Sequence, residues 1–406
     1  MPYSAEFALG PKDPADLPNP RHSFSWRTAS VALVCLALVA CGGGSDSGSS
    51  SATTTRLIVF GDSLMDTGTF GFKNVTQGSA SLGAGSNPVL TTALASRLNV
   101  SEPCPFFRSV DAGATFTNTA GCTNFAIGGG AVNLPATPTS PVRIPVQLNA
   151  SVAAVSSYAP SDLVLIDAAG NDVANLIGAF LALQQGDPTA FVTLTGSILG
   201  AQTVSAQLAA APTTAPAQLG FAYMAALATV LRSTIETTVL NRGAERVVVI
   251  GSVNVAVTPR LAIVLASLPA AARAQLTPLF SDWVNAFNLQ LESGFVGNPR
   301  VLFVNGFQLF NRILSSPATF GLTNITDASC PPTGQGPAGP TYTLSACSEV
   351  VATGFIASAT PSFITGQPLA GDWSTFLFSD NFHPTPRGYQ AAADIIMESI
   401  TARGWR

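Results

Sequence analysis

The chain has 406 residues, 47% of them apolar and only 10% charged, with a net charge of −4. That length suits one large domain with an ample core, and so little basic charge excludes a nucleic-acid-binding surface. Beyond the leader a single lysine remains, Lys73.

The first 28 residues are polar and carry Arg21 and Arg27 near their end. The run ASVALVCLALVA over 29–40 follows. Twelve apolar residues are too few to span a bilayer and fit the core of a signal peptide. The run ends in Leu38-Val39-Ala40-Cys41, which resembles a bacterial lipobox, where the cysteine is lipidated and becomes the mature N-terminus. A Gly/Ser-rich stretch then reads as a flexible tether. The expected organisation is a lipoprotein-type signal peptide over 1–40, a tether over 41–55 and a folded domain over 56–406. Ordinary cleavage without lipid is the alternative. By analogy with bacterial lipoproteins, Gly42 rather than an acidic residue after Cys41 points to the outer membrane.

Within the domain, strand-like and helix-like segments alternate, the pattern of a parallel α/β sheet. Strands are expected at 56–60, 162–167, 246–250 and 300–304, and helices at 88–98, 217–240, 268–291 and 385–401. Residues 174–217 (Ala/Thr-rich) and 315–372 (loop-like) break the alternation and read as insertions on the ligand side of an open sheet. Four cysteines remain outside the leader and no C-x-x-C occurs, so disulfides are expected. Of three connectivities, Cys104–Cys122 and Cys330–Cys347 are favoured, because each closes a short loop rich in turn residues.

Four short stretches carry chemistry. Gly61-Asp62-Ser63-Leu64 directly follows the first strand, where open α/β sheets place ligands. A helix after Ser63 would also favour negative charge there. Asn124-Phe125-Ala126-Ile127-Gly128-Gly129-Gly130 offers backbone N–H groups not covered by side chains. Gly170-Asn171-Asp172 closes the 162–167 strand with an amide that can donate two hydrogen bonds. Asp380-Asn381-Phe382-His383-Pro384 holds the only histidine beyond the leader, with a carboxylate three residues before it. In such a turn Asp380 can orient the His383 imidazole. Each stretch alone has a plainer reading as a turn, a glycine loop or a solvated histidine.

Together, and in this order, the four stretches resemble the SGNH or GDSL hydrolase family. The resemblance runs from residue 61 to 384. It implies a flavodoxin-like three-layer α/β/α sandwich of about five parallel strands. It also implies Ser63 as nucleophile, His383 as base and Asp380 as its orienting carboxylate. The oxyanion donors it implies are the N–H of Ser63, the N–H of Gly129 (Gly128 as alternate) and the side chain of Asn171. No cofactor and no metal are implied, since one histidine cannot build the usual ligand sets. No G-x-S-x-G centred on serine occurs, so the nucleophile elbow of the α/β-hydrolases is not the model. The ending FHPTPRGY and the long insertions look most like bacterial secreted esterases and lipases, including triacylglycerol-lipase-like and lysophospholipase-like members. The expected activity is hydrolysis of carboxylic esters, with the apolar insertions either lining an acyl pocket or simply filling the core. Acyl transfer from the same acyl-enzyme and a non-catalytic cell-surface binding module are the alternatives.

Overall fold

A computed structural model describes residues 53–78, 87–336 and 339–406. The leader, Cys41 and nearly all of the tether lie outside the described residues.

The chain opens with β1 (Arg56–Phe60), α1 (Leu90–Leu98), the short strands β2 (Phe107–Arg108) and β3 (Thr117–Asn118), and α2 (Ile144–Ala154). It continues with β4 (Asp162–Asp167), the helices α3 (Gly170–Gln184), α4 (Thr189–Leu199), α5 (Ala201–Ala210) and α6 (Ala215–Thr238), and β5 (Val247–Ile250). Next come α7 (Pro259–Ala266), α8 (Ala270–Phe295), β6 (Val301–Val304) and α9 (Gly306–Ser315). The last third holds β7 (Asn324–Ala328), β8 (Gly334–Gly336), β9 (Gly339–Thr341), α10 (Glu349–Ala357), β10 (Phe376–Phe378) and α11 (Pro386–Ala402).

Four strands form the central sheet in the order β1-β4-β5-β6, all parallel. Each is a nearly continuous apolar run, as strands covered on both faces require. The side-chain alternation of a strand feeds two cores. Ile58, Phe60, Val164, Ile166, Val247 and Val249 point to one face, where they meet α2, α3, α6 and α8 through Leu148, Leu176, Leu227 and Phe287. Leu57, Val59, Leu163, Leu165 and Val248 point to the other, where they meet α1, α9 and α11 through Leu94, Phe310 and Ile396. The result is the expected three-layer sandwich.

The sheet has four laddered strands where about five were expected. The place beside β1 is held by residues 123–127. Val59 donates to the Thr123 carbonyl at 2.9 Å, Phe125 donates back to Val59 at 2.7 Å, and Ile127 donates to Gly61 at 3.2 Å. Only Asn124 bridges to Val59 as a strand residue. This segment is pinned at one end by Cys122 and turns away at the glycines of 128–130, so no longer ladder can form.

The two insertions differ. Residues 174–217 become the end of α3, α4, α5 and the start of α6. Phe191, Leu194 and Val204 bury there among the aromatic side chains Phe180, Phe280 and Trp283. Residues 315–372 contain β7, which pairs in parallel with β10 just before the Asp380–His383 turn, and the small ribbon β8–β9. Both favoured disulfides are present, Cys104–Cys122 and Cys330–Cys347. No helix among the described residues is long and apolar enough to cross a membrane.

Candidate active site

Ser63 lies in the turn that ends β1. Among the described residues no helix follows it directly. Met65 and Asp66 donate to the Asp62 carbonyl at 3.1 and 3.0 Å, closing one turn, and α1 begins only at Leu90. The turn is instead held by side chains from elsewhere in the chain. Gln147, fully buried on α2, brackets Gly61: its Oε1 accepts the Gly61 N–H and its Nε2 donates to the Gly61 carbonyl, both at 3.0 Å. Asp167, the last residue of β4, accepts the Asp62 N–H at 3.1 Å. Gly61 has φ +145°, and a Cβ there would overlap Asp167 Oδ1. Only glycine lets β1 and the Asp167 carboxyl approach this closely.

The Asp380–His383 turn follows β10. One oxygen of Asp380 accepts the N–H groups of Phe382 (2.7 Å) and His383 (2.6 Å); the other meets His383 Nδ1 at 2.7 Å. The ring's far nitrogen, Nε2, lies 2.8 Å from Ser63 Oγ, across 320 positions of sequence. An ionised carboxylate can only accept, so Nδ1 carries the hydrogen and Nε2 of the neutral ring is the acceptor for the Ser63 hydroxyl. Burial alone would push Asp380 up, but the His383 charge and three hydrogen bonds outweigh it, and its pKa is lowered. Burial alone would lower His383. The charge and hydrogen bond of Asp380, with the charge of Asp62, outweigh that and raise its pKa.

The glycine run and Asn171 complete the cleft. Asp66, fully buried, accepts from Gly68 and Thr69 on one oxygen and from Gly128 on the other, each at 2.8 Å. The Gly130 N–H donates to the Ile127 carbonyl at 2.9 Å. The N–H of Gly128, the alternate donor expected above, is therefore already spent on Asp66. Gly129, at φ +82° and exposed, makes no backbone hydrogen bond among the described residues, and neither does the N–H of Ser63. Asn171 Nδ2 donates to the Gly130 carbonyl at 2.9 Å and only weakly to Asp62 Oδ2 at 3.3 Å. Its position is set by Ala169, in the left-handed region at φ +77°, which turns β4 into α3. Asp172 ties this turn to the glycine run by accepting from Val132 and Asn133, each at 2.9 Å. Ser63, Gly129, Asn171, Asp380 and His383 all border one cleft of about 390 Å³.

Beneath the cleft lie buried carboxyls that sequence reading did not single out. Burial, then the charge of Asp62, pushes Asp167 well above the ordinary carboxylate range. Burial also raises Asp62, against the pull of the Leu64 N–H and of His383. The contact between the two carboxyls favours the ionised form of Asp62 and the neutral form of Asp167. Burial raises Asp66 as well, and pushes Asp172 up to about 7. Neither Gln147 nor Asp66 carries a local signal; each acts on a residue distant in sequence or on a loop whose shape the sequence does not give. Among the described residues no group of histidine, cysteine or carboxylate side chains could hold a metal ion.

A parallel sandwich with a Ser–His–Asp chain at the carboxyl ends of its strands is the arrangement of a hydrolase. The model of the family described as GDSL-like Lipase/Acylhydrolase matches residues 57–396. The chain belongs to this family. No curated protein matches it significantly.

Proposed function

We propose that the protein is a serine esterase that hydrolyses carboxylic esters through an acyl-enzyme on Ser63. The observation that carries this reading is the unbroken chain Ser63 Oγ–His383–Asp380, at 2.8 and 2.7 Å. His383 Nε2 takes the Ser63 proton as Oγ attacks the ester carbon, then returns it to the departing alkoxide. Asp380 keeps the ring in the accepting tautomer and stabilises the imidazolium. The N–H groups of Ser63 and Gly129 and the Asn171 amide take the developing oxyanion. The Asn171 amide would exchange its long contact with Asp62 for the stronger charge. Water, activated by the same imidazole, then releases the acid.

An apolar acyl group is the favoured substrate part. A groove of about 450 Å³ beside the cleft is walled by Leu134, Pro135, Ala174, Ala179, Ala190 and Leu194, and Arg260 borders both. Residues of the first insertion thus both fill the core and face this groove. A lipid anchor at Cys41 would place the enzyme at a bacterial membrane, with the outer membrane favoured by Gly42. The signal-like run, the cysteine and the tether in sequence support that placement, and two disulfides suit an oxidising compartment. Hydrolysis of a chain-length series of p-nitrophenyl esters tests the activity. Turnover that rises from acetate toward longer acyl chains is expected, and a strict preference for acetate would remove the lipase reading. Radiolabelled palmitate incorporation, lost in Cys41→Ser, tests the anchor.

A further inference from the structure

Arg260 breaks a local rule. It lies on the first turn of α7, where the positive end of the helix dipole disfavours a cation, and no acidic residue shares that turn. Its guanidinium forms no ion pair and no side-chain hydrogen bond among the described residues. It lies over the Phe382 ring, 5.6 Å from its centre. Its backbone N–H donates to the Asn381 carbonyl at 2.8 Å, so α7 is fastened to the loop that carries His383. Phe382 in turn meets the His383 ring edge to face at 5.7 Å.

Arg260 faces the same cleft as Ser63 and His383, and so do Asn74 and Tyr342. The side-chain amide of Asn74 and the hydroxyl of Tyr342 likewise have no hydrogen-bond partner among the described residues. Burial, then the charges of Asp380 and Asp327, pushes the Tyr342 phenol up, so it stays a neutral donor. The cleft thus holds one cation and two neutral donor groups, all unspent. Against them stand two carboxylates. Asp380 is committed to His383, and Asp62 lies buried behind Ser63 with its oxygens on Leu64 and Asn171.

We propose that Arg260, with Asn74 and Tyr342, forms an anion subsite, so that the preferred esters carry a phosphate or carboxylate close to the scissile bond. This rests on the esterase reading above. A guanidinium presents paired N–H donors that match both kinds of oxyanion.

The test compares kcat/KM within two ester pairs, each matched in acyl-chain length. The first pair is 1-butyrylglycerol 3-phosphate against 1-butyrylglycerol, with the anion on the alcohol. The second is p-nitrophenyl hydrogen succinate against p-nitrophenyl butyrate, with the anion on the acyl group. Wild type is expected to favour the anionic member of at least one pair, and that pair names the side and the group. Arg260→Gln should lower the anionic-to-neutral ratio at least tenfold, the scale of one lost charge-assisted hydrogen bond. Arg260→Lys should restore most of it, and Tyr342→Phe, which keeps the ring, should lower it in the same direction. Using the ratio removes any change in His383 basicity or fold, since both members of a pair use the same catalytic groups. A ratio that is unaltered by Arg260→Gln and by Tyr342→Phe in both pairs overturns the subsite, leaving the esterase standing. No turnover of any of the four esters, with Ser63 unreactive toward a fluorophosphonate, overturns the esterase reading and the subsite with it.

Discussion

The two oxygens of Asp380 do different work. One is spent on the Phe382 and His383 N–H groups, and the other holds Nδ1. An asparagine can keep the first set, but then sets an NH2 against Nδ1–H, and the ring flips to the tautomer that cannot accept from Ser63. Asp380→Asn should therefore fold normally and lose about three to four orders of magnitude in kcat, a split that paired thermal-melt and turnover measurements would show. His383 must be neutral to act as base, and its pKa is raised above the ordinary 6.5. Activity should fall on acidification through a value above 6.5, and kcat/KM measured from pH 5 to 9 reads that limb directly. A limb at or below 6.5 would mean that burial outweighs the pull of Asp380 on the ring in solution. These residues were legible in the sequence for a simple reason. His383 has no rival beyond the leader, and Asp380 is close enough to be its partner through a local turn. Arg260 was not legible, because its meaning depends on a neighbour, Phe382, that only folding supplies.

At the scale of elements, the site is made by long-range clamps on loops rather than by the loops themselves. Gln147 on α2 satisfies both backbone groups of Gly61. Gln147→Ala leaves those groups buried, with only the Ile127 N–H still reaching the carbonyl. A loss of about 3 kcal/mol in denaturant unfolding is expected, together with a drop in kcat larger than any change in KM. A loss below about 0.5 kcal/mol would show that the turn holds itself. The Cys104–Cys122 bridge closes a loop of sequence separation 18 immediately before Asn124. Replacing both cysteines with serine should cost about 3 kcal/mol and loosen the 123–127 segment beside β1, which hydrogen exchange at Phe125 and Ile127 would report. The four sheet strands were legible because each is an apolar run that ends at a turn signal. The helices α4 and α5 were not: in an Ala/Thr-rich stretch buried and exposed positions use the same residue types, so no period stands out. The fifth strand position could not be read either, since residues 123–127 pair through backbone atoms at a single bridge.

At the scale of the molecule, the interior shifts several acids toward their neutral form. Burial raises the pKa values of Asp62, Asp66, Asp167 and Asp172 in the folded state. An acid with a raised folded pKa stabilises the fold fully below its unfolded value, about 4, and that stability is lost as pH rises through the folded value. For Asp172 the window runs from about 4 to about 7. His383, also raised, adds loss in the same direction as pH climbs past its folded value. Asp380 is lowered and opposes this only at strongly acidic pH, below its unfolded value. The melting temperature should therefore decline from pH 5 to pH 8. Asp167→Asn, which mimics the neutral acid and keeps an acceptor for the Asp62 N–H, should flatten that decline. A melting temperature that rises over the same range would show that these carboxyls are ionised in the folded protein.

All of these expectations depend on Ser63 being activated by an imidazole that reaches it from the far end of the chain. The most direct measurement is fluorophosphonate labelling, with the modified residue located by mass spectrometry, in wild type, Ser63→Ala and His383→Ala. Label is expected on Ser63 of the wild type, none on Ser63→Ala, and a rate at least a hundredfold lower on His383→Ala. Equal labelling of wild type and His383→Ala, or label on a residue other than Ser63, would contradict this activation.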